Sequence, residues 1–318
     1  MRSLRPVVSV SQRRRASRRP LLLLVVIGVA GSMTACSSSS GSGASTSPST
    51  SPSGSSSVAS PSVSAAPLSD KYPNSLVVLG HSGTTGYNSD PDAPGSDANK
   101  NSWATGDNPA VQSIYLRLLA LNPAVAGHST NLGVDGSDME ALATQVDQAL
   151  ALKPVPDLFM IQEVDVDFTR QCDSPDKGSY DRFAQTLATQ LTRIEAASPR
   201  ATILLVSSPP GTTENYGKVV ATLPAAKEKN TGTGPCDLFD PTGKAVPAHW
   251  KYQDTLYRAF QSKLAEVCAK FRTCIYDGGA LYAMKITADD LAPDGEHLSV
   301  AGLTKQAALE WKVLGLGS

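Results

Sequence analysis

The chain has 318 residues, with 28 basic and 29 acidic side chains and a formal net charge of −1. This near balance excludes the strongly basic surface that is typical of nucleic-acid-binding proteins, so we expect no nucleic acid partner. The length allows one large α/β domain with a substantial core after an N-terminal leader.

Residues 1–36 have the features of an export signal. Seven arginines precede the first acidic residue, Asp70, and the ten-residue segment 21–30 is almost wholly apolar. A basic start, a short apolar segment and small residues after it are typical of a secretory signal peptide, and the apolar segment is too short for a spanning helix. Arg18-Arg19 also resembles a twin-arginine signal, so the sequence leaves the export route open.

Cys36 ends this leader within Met33-Thr34-Ala35-Cys36, which resembles a lipobox. A lipobox predicts a lipid on Cys36, and that lipid would hold the mature protein on a membrane. Ordinary signal cleavage after Ala35, without a lipid, is the alternative. We therefore expect an extracytoplasmic lipoprotein anchored to the cell membrane, or a secreted protein.

Residues 37–67 predict a disordered tether. Ser, Gly, Ala, Thr and Pro dominate the segment, which has no charged or aromatic residue. Such a composition buries too little apolar surface to fold. The folded domain is then 68–318. Without the seven arginines of the leader, 21 basic side chains remain against 29 acidic ones, so this part of the chain is mildly acidic.

The first predicted strand leads directly to a serine. Leu76 to Leu79 are apolar and include two β-branched residues, and three glycines in 80–86 then allow a tight turn. This pattern puts Ser82 at the carboxyl end of a buried strand, the edge of an open α/β sheet where ligands bind. A serine there also fits a plain turn.

Apolar runs near residues 129, 158, 203 and 275 predict four more strands. Helical patterns separate them, at 109–121, 138–152 with Ser137 as the N-cap, 180–197, 249–271 and 299–314. Segment 211–248 is predicted to be a long insertion. Alternating strands and helices predict an α/β fold, a three-layer α/β/α sandwich with a mainly parallel five-stranded sheet of the flavodoxin-like kind.

Four cysteines follow Cys36. An even number outside the cytoplasm favours two disulfides. Cys268 and Cys274 flank the predicted end of a helix, so we expect them to pair, and elimination then pairs Cys172 with Cys236. The histidines are scattered and no Cys-x-x-Cys spacing is present, so we expect no structural zinc.

Asp294 and His297 are three residues apart, just before the last predicted helix. Taken alone, these two residues are also typical of a polar loop without a catalytic role. Together with Gly80-His81-Ser82 they resemble blocks V and I of the SGNH or GDSL hydrolase family, over about residues 74–316. This resemblance implies an SGNH hydrolase-like domain with a Ser82 nucleophile, a His297 base and an Asp294 acid. It also implies a small-molecule, glycan or lipid ester substrate and no cofactor or metal.

The resemblance predicts an incomplete oxyanion hole. Asn131-Leu132-Gly133 is similar to block II, so the backbone amides of Ser82 and Gly133 would donate two hydrogen bonds. The family's block III carries Gly-x-Asn-Asp, and alignment on Asp167 puts Val166 at the asparagine. Loss of one such donor costs on the order of 3 kcal/mol. His81 replaces the aspartate before the serine, and we expect it to be structural.

Trp103 and Asp167 are candidates for substrate binding. Trp103 lies in the long loop 87–107, and loops of this length usually shape a binding site, although a packing role is the alternative. Asp167 ends the block III segment. Glu163, Asp165 and Asp167 together could hold a cation, but alternating carboxylates at a strand end are more often a solvated rim.

Two functions follow from these observations. The first is a secreted, membrane-tethered serine esterase or acyl hydrolase. The second is a non-catalytic envelope lipoprotein that uses the same scaffold to bind carbohydrate or lipid, because Val166 and His81 both replace signature residues.

Overall fold

A computed structural model describes residues 71–317 of the chain. Its strands are β1 (Leu76–Gly80), β2 (Ser129–Asn131), β3 (Leu158–Gln162), β4 (Thr202–Leu205) and β5 (Cys274–Tyr276). They form one sheet in the order β2-β1-β3-β4-β5, and every neighbouring pair is parallel. The predicted α/β class and the positions of all five strands are confirmed.

Helices connect the strands and follow the last one. Within the described residues they are α1 (Ser82–Thr85), α2 (Ile114–Leu121), α3 (Leu142–Ala151), α4 (Val166–Asp173), α5 (Gly178–Ala197), α6 (Thr213–Val220), α7 (Pro224–Lys229), α8 (Pro247–Cys268), α9 (Ala280–Ala283) and α10 (Val300–Leu314). Ser299 caps α10, since its Oγ accepts the Gly302 N–H.

The sheet has a core on each face. Val77 and Leu79 pack with α3, α5 and α8, whereas Leu76 and Val78 pack with α2 and α10. This division follows from the strand itself, because successive side chains point to opposite faces. The three-layer α/β/α sandwich is therefore confirmed. Since the strands are parallel, their carboxyl ends lie at one edge of the sheet.

Two predicted helix starts are wrong. Helix α2 begins at Ile114 and not at residue 109, because Gln112 has a left-handed φ of 51° that interrupts a helix. Helix α3 begins at Leu142, and Ser137 is not its N-cap. The Ser137 hydroxyl instead donates to the carbonyl oxygen of Gly80 at 2.9 Å.

The segment 211–248, which the sequence analysis describes as a long insertion, has regular secondary structure. It contains α6 and α7, and it has a small core of its own, formed by Val220, Ala226, Leu238 and Phe239. Helix α4 forms where the sequence analysis predicted no helix. These additions matter because the start of α4 and the end of α7 line the cavity described below.

Both expected disulfides are present. Cys172–Cys236 joins α4 to the loop before α8, and Cys268–Cys274 closes the turn between α8 and β5. None of the helices in residues 71–317 combines the length and apolar character needed to cross a bilayer. The predicted signal peptide (1–36) with Cys36, and the predicted tether (37–67), lie outside the described residues.

Candidate active site

Ser82 is the first residue of α1 and lies just beyond β1, with 2% of its surface exposed. His81 caps this short helix, because its Nδ1 accepts the Gly83 N–H at 3.1 Å. The His81 proton therefore lies on Nε2, on the other side of the ring from this contact, where it has no partner among the described residues. Burial lowers the pKa of His81, which favours the neutral ring, and the bond from the Gly83 N–H gives the side chain a structural role in capping the helix.

The loop before α10 holds Asp294 and His297. A bridge between Leu291 and Leu298 closes its base, and the Ala292 N–H donates to the carbonyl oxygen of His297 at 2.7 Å. At its tip, Asp294 Oδ1 accepts the N–H groups of Glu296 and His297 at 2.9 and 3.1 Å. The turn therefore fixes both side chains before any ligand is bound.

Three side chains meet across the edge of the sheet. Ser82 Oγ lies 2.8 Å from His297 Nε2, although the two residues are 215 positions apart in the chain. On the other side of the ring, His297 Nδ1 lies 2.7 Å from Asp294 Oδ2. The ring of Tyr87 lies over the imidazole, with 4.8 Å between the ring centroids.

Asp294 and His297 shift each other's proton affinity. Burial alone would raise the pKa of Asp294, but hydrogen bonds from His297 and from the Glu296 amide lower it well below its ordinary value. Burial alone would lower the pKa of His297, but the hydrogen bond and the charge of Asp294 raise it. The geometry thus stabilises a protonated imidazole beside a carboxylate, which is what a base needs after it takes a proton.

A cavity of about 320 Å³ opens beside Ser82 and His297. Phe168 and Tyr257 stack on each other in one wall, with ring centroids 3.8 Å apart. The rest of the lining is mixed, with apolar residues (Val164, Pro209, Pro210, Leu298) and polar ones (Asp165, Ser208, Lys229, Asn230, Gln253, Glu296). Cys236 also lines the cavity, so the Cys172–Cys236 disulfide ties two of its walls together.

The two residues expected to bind substrate do not line this cavity. Trp103 is fully buried, and its indole N–H donates to Gln162 Oε1 at 3.1 Å, so it packs beneath the site and does not cover it. Asp167 Oδ2 accepts the Met139 N–H at 2.8 Å and stabilises the start of the α3 segment. Both expectations are corrected because each side chain already has a partner inside the fold.

The expected oxyanion donors differ in their availability. As the first residue of its helix, Ser82 has an N–H that makes no hydrogen bond to any described residue. The Gly133 N–H, in contrast, donates to Asn131 Oδ1 at 2.9 Å, and Gly133 does not line the cavity. Val166 lies in the first turn of α4 and has no polar side-chain atom. Of the two expected backbone donors, the Ser82 N–H is unengaged and the Gly133 N–H is not.

The three neighbouring carboxylates do not form a solvated rim. Glu163 is buried, neither of its oxygens has a partner among residues 71–317, and burial raises its pKa well above the ordinary value. Asp165 lines the cavity, and Asp167 accepts a backbone N–H. In the described part of the chain, no group of three or more His, Cys, Asp or Glu side chains is arranged to hold a metal ion.

Sequence reasoning missed Gln162, Phe168 and Tyr257 as residues of the site. Gln162 had a signal, because it is a polar residue at the end of an apolar strand and so lies at the carboxyl edge of the sheet. The Phe168–Tyr257 pair had no such signal in the sequence, because α4 and α8 are distant along the chain and only the tertiary structure brings the two rings together.

No family model matches the chain, and a comparison with curated proteins finds no match. Solved structures do resemble it. One is described as a GDSL-like lipase from Parabacteroides merdae, with 17% identity, a TM-score of 0.48 and coverage of 79% of this chain and 100% of that one. Another is a variant of an acetyl-xylooligosaccharide esterase from Geobacillus stearothermophilus, with 17% identity, a TM-score of 0.47 and coverage of 77% and 94%. The sequence motifs of the chain resemble those of SGNH or GDSL hydrolases, and these solved structures, with GDSL-like and esterase descriptions, are similar to it.

Proposed function

We propose that this protein is a serine hydrolase of carboxylic esters. The observation that carries the proposal is the continuous line of hydrogen bonds from Ser82 Oγ through His297 to Asp294, at 2.8 and 2.7 Å, beside a cavity. A serine, an imidazole and a carboxylate in this order are the parts of a nucleophilic triad.

In this mechanism His297 Nε2 takes the proton of Ser82 as Oγ attacks the ester carbonyl. The carbonyl oxygen becomes an oxyanion, which the Ser82 N–H stabilises, and Asp294 stabilises the imidazolium. The intermediate then expels the alcohol, which receives its proton from His297. Water attacks the acyl-enzyme by the same steps, releases the carboxylic acid and restores Ser82.

The cavity favours an uncharged ester with a polar alcohol part. Among the described residues, the lining has three carboxylates, Asp165, Asp294 and Glu296, and one lysine, Lys229, so an anionic substrate would be repelled. The Phe168–Tyr257 pair offers an aromatic face beside polar groups, an arrangement that suits a sugar ring as well as a small lipid. Acetylated sugars are therefore the first natural substrates to test.

We also propose that the enzyme works outside the cytoplasm, held on the membrane by a lipid on Cys36. The leader supports export, and the two disulfides support an oxidising compartment. The mass of the mature N-terminus tests this, because a diacylglyceryl group on Cys36 would add to it and ordinary cleavage would not.

The experiment for the triad compares wild type with Ser82→Ala on p-nitrophenyl acetate. We expect Ser82→Ala to lose turnover by a factor on the order of 10³ or more, and to lose labelling by a fluorophosphonate. Ser89→Ala is the matched control, because Ser89 is also buried and bonds only to groups outside the triad. Full turnover in Ser82→Ala would refute the triad.

A non-catalytic binding protein is the second candidate. It is favoured by the missing block III donor at Val166 and by the engagement of the Gly133 N–H with Asn131. A folded wild-type protein that neither reacts with the fluorophosphonate nor hydrolyses the ester, but binds acetylated oligosaccharides, would support it.

A further inference from the structure

Gln162 is a buried polar side chain beside Ser82, at a site where the aligned block III position, Val166, has no polar side-chain atom. It is the last residue of β3 and lies opposite Gly80, the last residue of β1. Its side chain is 2% exposed and lines the cavity beside Ser82. The other polar candidates are engaged elsewhere, since Asn131 Nδ2 donates to the carbonyl oxygen of Thr84 and Asn108 Nδ2 donates to Asn101 Oδ1.

The orientation of the Gln162 amide is fixed by its neighbours. Its Oε1 accepts the Trp103 indole N–H at 3.1 Å and the Gln306 amide at 3.0 Å. An indole nitrogen can only donate, so the atom that faces Trp103 must be the oxygen. The amide nitrogen therefore points the other way, toward Ser208 and Gly83.

This amide nitrogen has spare capacity. Its contact with Ser208 Oγ is long, at 3.4 Å, and Nε2 carries two hydrogens. It makes no other hydrogen bond within the described residues. It also lies against the residue after the nucleophile, because a Cβ on Gly83 would be only 3.0 Å from it. A buried amide with an unused hydrogen beside Ser82 is suited to bind a negative oxygen.

We propose that Gln162 Nε2 is the side-chain donor of the oxyanion hole and acts with the Ser82 N–H. The proposal rests on the ester hydrolase activity proposed above. Trp103 and Gln306 are then positioning residues, which hold the amide with its nitrogen toward the cavity. A charged oxygen formed on the substrate would attract this hydrogen more strongly than Ser208 does.

Two substitutions at Gln162 test the proposal. Gln162→Met keeps the volume and removes the donor, whereas Gln162→Asn keeps an uncharged amide but shortens the side chain by one methylene, so its nitrogen is withdrawn from Gly83 and the cavity. We expect both to lower kcat for p-nitrophenyl acetate by 10²- to 10³-fold, with little change in KM. The affinity for phenylboronic acid, which forms a tetrahedral adduct on the serine, should fall with kcat. If Gln162→Met does not fold, Gln162→Asn decides.

Trp103→Phe tests the positioning role. It keeps a buried aromatic ring but lacks the indole N–H, so the amide can turn. We expect a smaller loss of kcat and of phenylboronic acid affinity than in the Gln162 variants, again without a rise in KM. A merely structural defect would instead lower the unfolding temperature without lowering kcat selectively over KM. Gln190→Met is the matched control, because Gln190 is buried in α5 and bonds to Arg193, away from the cavity.

The outcomes separate the two proposals. If wild type is active, Ser82→Ala is inactive, and folded Gln162 variants keep kcat and phenylboronic acid affinity within about two-fold of wild type, the role of Gln162 is overturned and the triad stands. If turnover does not depend on Ser82, both proposals fall.

Discussion

His297 lies between a hydroxyl that must lose a proton and a carboxylate that stabilises the resulting charge. The 2.7 Å hydrogen bond to Asp294 outweighs the effect of burial, so the pKa of His297 lies above its ordinary value of 6.5. A protonated imidazole cannot act as a base. Ester hydrolysis should therefore be suppressed below this raised pKa and rise as the pH increases through it.

Asp294→Asn should change both the rate and this pH dependence. Without the carboxylate the imidazolium is less stable, so the acid-side midpoint of kcat/KM should move to lower pH. Loss of the correct tautomer should also reduce kcat, by a factor on the order of 10⁴. The measurement is kcat/KM for p-nitrophenyl acetate from pH 5 to 9.

Asp289→Asn is the control for the loss of one negative charge near the site, because Asp289 lies five residues before Asp294 and is exposed. It should leave both the rate and the midpoint unchanged. A wild-type midpoint at or below 6.5, unmoved in Asp294→Asn, would contradict the coupling of the two side chains.

At the scale of the element, Gly80 at the end of β1 positions Ser82 at the start of α1. Its φ is 143°, and a Cβ there would lie 2.1 Å from the Gln162 carbonyl oxygen on β3. The Gly80 N–H donates to Gln145 Oε1 at 2.7 Å, and its carbonyl oxygen accepts the Ser137 hydroxyl. Ser137 and Gln145 therefore hold both backbone groups of Gly80, and β1 approaches β3 too closely for any side chain at this position.

Gly80→Ala should destabilise the protein and misplace the serine. The strained φ and the contact with a backbone oxygen, which cannot move aside cheaply, should cost roughly 3 kcal/mol or more of unfolding free energy. Gly127→Ala is the control, because Gly127 also has a positive φ, of 76°, but has nothing within 4 Å of the added carbon.

For Gly127→Ala we expect a loss of about 1 kcal/mol and unchanged turnover. Urea unfolding and ester hydrolysis measure the two effects. Equal losses in both variants would show that backbone strain alone, and not the close approach of β1 to β3, sets the requirement for glycine.

At the scale of the whole molecule, the core beneath α10 contains an acid without a partner. Glu310 is fully buried, and neither of its oxygens has a hydrogen-bond partner among residues 71–317. Burial raises its pKa well above the ordinary value of 4.5. In the folded protein Glu310 therefore keeps a proton that it releases in the unfolded chain, so its contribution to stability falls with rising pH from about pH 4.5 to the raised pKa, by about 1.4 kcal/mol per pH unit.

Glu310→Gln should remove this pH dependence. The amide keeps the shape of the side chain and cannot ionise, so the variant should match wild type near pH 4 and be the more stable protein near pH 8. Urea unfolding at the two pH values measures the difference. The exposed Glu228→Gln should show no such gain, and an equal gain there would point to net charge as the cause.

Much of the fold could be predicted because its signals are local. The strands at Leu76–Gly80 and Leu158–Gln162 each begin with four consecutive apolar residues, and such a run is enough to predict a strand buried on both faces. Helix starts were less predictable. Helix α3 begins at Leu142 and not at the predicted residue 138. The Ser137 hydroxyl, which was expected to cap the helix, instead donates to the Gly80 carbonyl oxygen, a partner 57 residues away.

The sequence by itself determined the α/β class, the strand positions and the identity of Ser82, Asp294 and His297 as candidates, because spacing and residue type carry that information. Only the tertiary structure decided the 2.8 Å contact between Ser82 and His297, the engagement of the Gly133 N–H with Asn131, and the direction of the Gln162 amide beneath Trp103. The physical reason is that a hydrogen bond depends on which distant groups fill the space around it, and no local pattern records those groups.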